Sequence, residues 1–162
     1  MLSIDELYRE HAKKVYAYIF SCTRNTELAE EITQETFFRA MKSINRYNGE
    51  CKIYVWLCQI AKHILYQKIR NAKKDQWVEL HENIDIKVDS PEQSLINSED
   101  KKKIYKSMQV LNEITKEVIY LRLTGELSFK EIGEILNKSE NWARVTFFRG
   151  KSKLLRRLKN EE

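Results

Sequence analysis

The residues in this sequence with the clearest capacity for chemistry are the arginines and lysines near its C-terminal end, which could bind nucleic acid. Both side chains donate hydrogen bonds to phosphate oxygens, and arginine also recognises base edges in a DNA groove. Helical spacing places five side chains on one side of a basic segment: Asn141, Arg144, Val145, Phe148 and Arg149. The opposite side is apolar, through Ala143, Phe147, Leu154 and Leu158. This pattern predicts a helix that is buried along one side and offers Arg144 to a base edge or a phosphate.

The basic segment follows a shorter predicted helix across a tight polar turn. Ser128 followed by Glu131 has the spacing of a capping box, and Ser139 is placed to cap the basic helix. A short amphipathic helix, a polar turn at 137–139 and a basic helix together predict a helix-turn-helix, whose second helix enters the DNA major groove. An ordinary helical hairpin is the alternative interpretation of this stretch taken alone.

The net charge of +5 is unevenly distributed along the chain. Residues 1–74 carry 13 basic and 8 acidic side chains, residues 75–100 carry 1 and 8, and residues 101–162 carry 15 and 8. Two basic blocks therefore flank an acidic segment. This distribution favours two domains that face nucleic acid, joined by a linker.

Composition adds the fold class to this organisation. The sequence contains 4 glycines and 1 proline in 162 residues, and 33% of its residues are charged, which is typical of a mostly helical protein. We expect an all-α fold with two small helical domains, residues 1–75 and 92–162. The acidic segment 76–91, whose apolar residues are scattered, is predicted to be a flexible linker between them. The second domain is expected to contain four helices, of which the last two form the helix-turn-helix.

A second candidate for nucleic-acid binding is a helix of the first domain that is predicted to begin near Ile53. Basic residues lie along its flank, at Lys62, Lys68, Arg70, Lys73 and Lys74, with Tyr54, Tyr66 and His63 interleaved among them. Basic groups follow a phosphate backbone and aromatic rings stack on unpaired bases, so this flank suits a single strand. The alternative is that the lysines are simply solvated. For Trp56, which lies on the apolar stripe, burial in the core is the favoured interpretation.

Other classes of function lack a pattern in the sequence. Three cysteines and three histidines show neither CxxC nor HExxH spacing, so we predict no metal site. No nucleophile–base pair and no glycine-rich phosphate loop stand out, and we predict that the protein is not an enzyme, with no cofactor and no small-molecule substrate. No apolar run approaches the roughly 20 residues that span a bilayer, and no secretory signal pattern is present. We therefore expect a cytoplasmic protein.

Three stretches together resemble the extracytoplasmic-function sigma factors of the sigma-70 family, and they occur in the family's order. Residues 29–40, A-E-E-I-T-Q-E-T-F-F-R-A, look like the helix that binds core polymerase. Residues 47–63, Y-N-G-E-C-K-I-Y-V-W-L-C-Q-I-A-K-H, are similar to the promoter-melting segment. Residues 111–139, L-N-E-I-T-K-E-V-I-Y-L-R-L-T-G-E-L-S-F-K-E-I-G-E-I-L-N-K-S, resemble the C-terminal domain. The resemblance implies a subunit that directs RNA polymerase to promoters.

The resemblance also implies roles for individual residues. Four residues match the surface that binds a coiled coil of the largest polymerase subunit: Glu31, Gln34, Glu35 and Arg39. A second set of residues matches the surface that captures a flipped base of the minus-10 element and follows the opened strand. These residues are Asn45, Arg46, Tyr47, Asn48, Lys52, Trp56, Lys62 and Arg70. The minus-35 element would be faced by Arg144, Val145, Phe148 and Arg149, with Asn141 on the same side of the helix. The implied partners are bacterial core RNA polymerase, promoter DNA and an anti-sigma factor, which in this family is often membrane-bound.

The sequence also departs from the family pattern. His63 and Gln67 stand where the melting helix usually has Asn and Asp, and Trp142 and Thr146 alter the basic helix. The promoter sequence that the protein prefers therefore does not follow from the resemblance. An autonomous helix-turn-helix regulator is the competing hypothesis, although such a protein usually needs a dimer interface to bind two half-sites, and no sustained heptad seam occurs in the sequence.

Overall fold

The computed structural model describes residues 3–75, 103 and 106–160, and every regular element within them is helical. The predicted all-α fold class is thus confirmed. The predicted flexible linker at 76–91 lies outside the described residues, as does most of the first helix expected in the second domain.

The first half of the chain folds into three helices that pack on one another: α1 (Ile4–Thr23), α2 (Thr26–Ser43) and α3 (Ile53–Asp75). Each helix buries one side because its apolar residues recur at helical spacing. Residues shielded completely from solvent include Val15, Ile19, Ile32 and Leu57. A short 3-10 turn, Ile44–Arg46, and a loop connect α2 to α3.

A polar junction separates α1 from α2. Arg24 adopts the left-handed conformation, with φ 53°, and its N–H donates to the carbonyl oxygen of Phe20, which ends α1. Asn25 caps α2, since its side-chain oxygen accepts a hydrogen bond from the N–H of Leu28 at 3.0 Å. The sequence pattern predicts Thr26 as the cap. That prediction is wrong by one residue, because Asn25 is extended while Thr26 already lies in the helix.

The second half contains α4 (Glu113–Leu123), α5 (Phe129–Leu136) and α6 (Glu140–Asn160). Helix α6 packs on both α4 and α5. It approaches α4 closely at Gly150, where an added Cβ would lie 2.5 Å from the Cγ2 atom of Thr115. Because Gly150 has no side chain, α6 can lie this close to α4.

Helices α5 and α6 form the predicted helix-turn-helix. The Ser128 hydroxyl accepts from the N–H of Glu131 at 3.1 Å, and the Ser128 N–H donates to the Glu131 carboxylate at 3.0 Å, so the capping box is complete. Asn137, with φ 57°, ends α5, and the Ser139 hydroxyl caps α6. The turn folds back on α5 at Gly133, where a Cβ would meet the carbonyl oxygen of Lys138 at 2.5 Å.

The two halves of the chain are in contact in this structure. Helix α1 packs on α4, and α3 packs on α5. The buried apolar side chains of both halves form one continuous cluster. This packing brings acidic side chains of α4 and α5 next to basic side chains of α3 and of the loop before it.

Candidate nucleic-acid and protein interfaces

The residues predicted to bind polymerase share the outward face of α2. Glu31 and Gln34 are exposed, and Glu35 and Arg39 are partly exposed. The Arg39 Nε atom donates to the Glu35 carboxylate at 3.0 Å, one helical turn away. The Lys68 ammonium of α3 lies 2.6 Å from the Glu31 carboxylate, so α3 supports this face from one side. The structure therefore brings all four predicted residues together on one surface.

Two exposed apolar residues lie on the same face of α2: Phe38, which the sequence pattern did not single out, and Met41, for which the predicted place on the buried apolar stripe is wrong. Phe38 is 47% exposed and Met41 is 48% exposed. The Lys42 ammonium lies 4.3 Å from the centre of the Phe38 ring. One signal was available: adjacent residues of a helix point in directions about 100° apart, and the next turn places Phe38 in line with Glu31, Gln34 and Glu35. Phe37 is the buried one.

The loop between α2 and α3 exposes four of the predicted minus-10 residues, which are Asn45, Arg46, Asn48 and Lys52. Tyr47 is partly buried, because its ring packs against Trp56 with the ring centres 5.2 Å apart. The Tyr47 hydroxyl donates to the carbonyl oxygen of Cys51, which closes the loop. Trp56 in turn packs against the core, as its place on the apolar stripe predicts. The loop thus combines exposed polar side chains with the packed rings of Tyr47 and Trp56.

The remaining two predicted minus-10 residues on α3 differ in accessibility. Arg70 is exposed, but Lys62 is only 8% exposed. The Lys62 ammonium donates to both carboxylate oxygens of Glu117 on α4, at 2.7 and 2.9 Å. The Tyr18 hydroxyl of α1 donates to the same carboxylate. The sequence pattern places Lys62 on a solvent-facing flank, whereas the structure places it between the two halves.

Electrostatics at this site favour the charged lysine. Burial by itself lowers the pKa of the Lys62 ammonium, but the Glu117 carboxylate and its hydrogen bonds outweigh that effect and hold the pKa above its ordinary value. Burial, with the Glu117 charge, raises the pKa of the Tyr18 phenol well above its ordinary value. Lys62 is therefore a cation and Tyr18 a neutral donor throughout the physiological range.

The predicted minus-35 residues share one exposed side of α6. Asn141, Arg144 and Arg149 are exposed, and Val145 and Phe148 are 36% and 50% exposed. On the other side of the helix, the buried residues are Ala143, Phe147 and Gly150. The Arg144 guanidinium pairs with Glu140 at 3.2 Å and lies over the Phe129 ring, 5.6 Å from its centre. These contacts leave the guanidinium oriented but accessible, which suits a contact to DNA.

Within the part of the chain that the structure describes, no group of three or more histidine, cysteine, aspartate or glutamate side chains could hold a metal ion. No helix among the described residues is long and apolar enough to cross a membrane.

Comparisons with family models and with individual proteins agree on one family. Two family models match the chain, Sigma-70 region 2 over residues 7–75 and Sigma-70, region 4 over residues 101–154. RNA polymerase sigma factor YlaC of Bacillus subtilis (strain 168) is 30% identical over 155 residues, which cover 94% of this chain and 90% of that protein. ECF RNA polymerase sigma factor SigM of the same organism is 30% identical over 158 residues, which cover 94% and 93%.

A solved structure supports the fold. The sigma factor RpoE, crystallised with the anti-sigma factor NepR from Bartonella quintana, matches with a TM-score of 0.75 over 98% of both chains, at 18% identity. The two family models match separate parts of the chain in the order that the sequence motifs indicate, and the two relatives span nearly all of it. The chain therefore belongs to the extracytoplasmic-function sigma factors of the sigma-70 family.

Proposed function

We propose that this protein directs RNA polymerase to a specific set of promoters by binding the core enzyme and contacting both the minus-10 and the minus-35 elements. The observation that carries the proposal is the presence of both sigma-70 regions on one chain that matches sigma factors over nearly its whole length. In this role the protein performs no chemistry itself. It needs no metal or cofactor, because its role is to position RNA polymerase on the promoter.

The α2 face is the proposed contact with core polymerase. It combines carboxylates with two exposed apolar side chains, Phe38 and Met41. An interface of this kind gains affinity from an apolar centre and orientation from the charges around it. We assign the polymerase contact to Glu31, Gln34, Glu35 and Arg39.

The loop before α3, with α3 itself, is the proposed contact with the opened minus-10 strand. The polar side chains of Asn45, Arg46 and Asn48 are exposed, and they lie in the same loop as Tyr47, whose ring packs on Trp56. Flipping a base out of the stack costs a few kcal/mol, which stacking and polar contacts in a pocket offset. We also assign contacts with the phosphates of this strand to Lys52, Lys62 and Arg70.

The exposed side of α6 is the proposed contact with the minus-35 duplex. Arg144 is suited to a base edge because it lies in the first turns of the second helix, the part of a helix-turn-helix that reaches the bases. Arg149 is suited to a phosphate, and Val145 and Phe148 offer apolar contacts in the groove. This division assigns residues 1–75 to polymerase and minus-10 binding and residues 92–162 to minus-35 binding.

An anti-sigma factor is the proposed regulator. The solved relative RpoE was crystallised with such a partner, NepR. A protein that competes for the α2 face would keep the present chain from polymerase, whether or not it is anchored in a membrane. Core polymerase and promoter DNA both occur in the bacterial cytoplasm, so we place the protein there.

One experiment tests the proposed function. The purified chain is mixed with core polymerase that carries no other sigma factor, and transcripts are mapped from a library of genomic fragments. We expect a complex on gel filtration and transcripts that begin downstream of a shared pair of sequence elements. Absence of the complex would refute the proposal, and tight duplex binding without polymerase would favour an autonomous regulator.

A further inference from the structure

Phe129, the first residue of α5, contacts both neighbouring helices, although the sequence pattern assigns it no role. Its ring centre lies 5.6 Å from that of Phe147 and 6.0 Å from that of Phe148, both on α6. The guanidinium of Arg122, on α4, lies 4.3 Å from the centre of the Phe129 ring, and that of Arg144, on α6, lies 5.6 Å from it. Both distances are within the roughly 6 Å at which a cation is attracted to an aromatic ring. One ring therefore joins two cations and two aromatic side chains where α4, α5 and α6 meet.

The position of the Phe129 ring is fixed by the residues around the start of α5. The Arg122 Nη1 atom donates to the carbonyl oxygen of Leu127 at 2.9 Å, which ties the guanidinium to the turn before α5. Leu127 is 3% exposed, and the capping box of Ser128 and Glu131 fixes the first turn of the helix. Phe129 thus follows a buried residue and begins a capped helix, so its ring has a defined place relative to α6.

Arg144 receives two contacts, and they come from different helices. Its guanidinium pairs with Glu140 of its own helix at 3.2 Å and lies over the Phe129 ring of α5. The ion pair is solvent-exposed, and a pair of this kind holds a long side chain only weakly. An arginine stacked on an aromatic ring is pre-organised, so it loses less freedom when it binds. The Phe129 contact therefore supplies a constraint on direction that the ion pair within α6 does not.

We propose that Phe129 is a positioning residue for the contact with the minus-35 duplex, in which its ring holds the Arg144 guanidinium in the direction that reads a base edge. The inference rests on the proposed function, because that function assigns Arg144 to a base edge. A bidentate contact between arginine and a base depends on the direction of the planar guanidinium. Phosphate contacts, in contrast, supply most of the affinity without regard to sequence. Loss of the ring therefore reduces discrimination between bases more than it reduces overall affinity for DNA.

The first measurement is made on the free full-length chain. Phe129→Leu keeps an apolar side chain at this position and removes the ring. Trp142→Leu is the matched control, because the Trp142 ring also lies 5.6 Å from a cation, Lys138, but is two residues from Arg144 and so points to another side of α6. The NMR order parameter of the Arg144 Nε–H group reports how firmly this side chain is held. We expect it to fall in Phe129→Leu and to stay at the wild-type value in Trp142→Leu.

The second measurement uses each variant reconstituted with core polymerase. Initiation is compared on promoters that carry each base pair in turn at the position where Arg144→Ala loses most discrimination. We expect selectivity among these promoters to fall about two- to fivefold for Phe129→Leu, the size expected of an exposed cation–π contact. Phe129→Tyr, which keeps the ring, and Trp142→Leu should retain the wild-type selectivity. In the Arg144→Ala background Phe129→Leu should cause no further loss, because the ring then has no guanidinium to hold.

Three results would overturn the proposal. They are an unchanged order parameter in Phe129→Leu, an equal loss of selectivity in Trp142→Leu, and a loss in the double variant that equals the sum of the two single losses. The last two would mean that the ring only supports the fold. If circular dichroism shows that Phe129→Leu loses helix, Phe129→Met takes its place with the same readouts.

Failure of the proposed function gives a different result. In that case the wild-type chain initiates at no specific promoter with core polymerase, whereas the order parameter of Arg144 is measured without polymerase. A ring that orders Arg144 in a chain without promoter selectivity counts against the sigma role. Promoter selectivity that Phe129→Leu leaves intact counts against the positioning role.

Discussion

The exposed position of Arg144 on α6 predicts that its replacement by alanine weakens promoter binding far more than folding. Its ion pair with Glu140 is solvent-exposed, at 48% and 53% for the two side chains. An exposed pair one turn apart contributes about 0.3–0.5 kcal/mol to the free energy of unfolding. A good arginine contact to a base edge contributes about 1–3 kcal/mol of discrimination, which corresponds to roughly 5- to 150-fold in affinity. The loss should therefore appear in DNA binding.

The assay reconstitutes Arg144→Ala with core polymerase and measures initiation on a minus-35-dependent promoter. Lys159→Ala is the matched control, because Lys159 is also an exposed cation of α6 but lies in its last turn. We expect initiation to fall for Arg144→Ala alone, with affinity for core polymerase unchanged and the free energy of unfolding lowered by no more than about 0.5 kcal/mol. An equal loss for both variants would mean that only the charge of the helix matters. Loss of core binding would contradict the separation of roles between α2 and α6.

Three further predictions follow from the helices that position these surfaces. Glu35→Lys should reduce affinity for core polymerase in a competition assay at least tenfold, the effect expected when a like charge faces a complementary interface, while circular dichroism stays unchanged. Burial alone would raise the pKa of the Glu131 carboxyl, but hydrogen bonds at the start of α5 and the Lys52 ammonium hold that pKa below its ordinary value. A lowered pKa stabilises the fold at pH values above the pKa of the unfolded state. Urea melts should therefore show stability lost as pH falls through the pKa of the folded state, and Glu131→Gln should reduce this dependence. Gly133→Ala should cost about 1–3 kcal/mol in thermal melts, because its Cβ would meet the carbonyl oxygen of Lys138.

The first two of these predictions each have a control in the same element. Glu27→Lys, in the first turn of α2, controls for the charge reversal at Glu35. Glu134→Gln, on the exposed side of α5, controls for the removal of a carboxylate at Glu131. An unchanged core affinity for Glu35→Lys, the same pH dependence in both glutamine variants, or a fully stable Gly133→Ala would contradict the corresponding argument.

The helices and the helix-turn-helix could be predicted because their signals are local. The capping box of Ser128 and Glu131 lies within four consecutive residues, and the apolar side of α6 repeats at helical spacing. Such patterns need no knowledge of the rest of the chain. The exposed set on α6 followed from the same geometry, since the side opposite the buried Ala143 and Phe147 must face outward.

The burial of Lys62 could not be predicted in this way. Its partner, Glu117, is 55 residues further along the chain, and periodicity within α3 carries no information about a contact at that distance. The sequence does hold one signal for this contact. Glu117 lies on the apolar side of α4, next to the buried Val118 and one turn from the buried Leu121. A glutamate in such a place needs a partner, because an unpaired buried charge is costly.

The same separation along the chain has a consequence for the order of events during synthesis. Translation proceeds at about 5–20 residues per second, so Glu117 is made about 3–11 s after Lys62. Synthesis of α1, α2 and α3 is completed early in that interval, since α3 ends at Asp75. The first half therefore leaves the ribosome before Glu117, its ion-pair partner in the second half, exists. In each new molecule Lys62 is therefore without this partner at first, and it is buried against Glu117 only when the second half has folded.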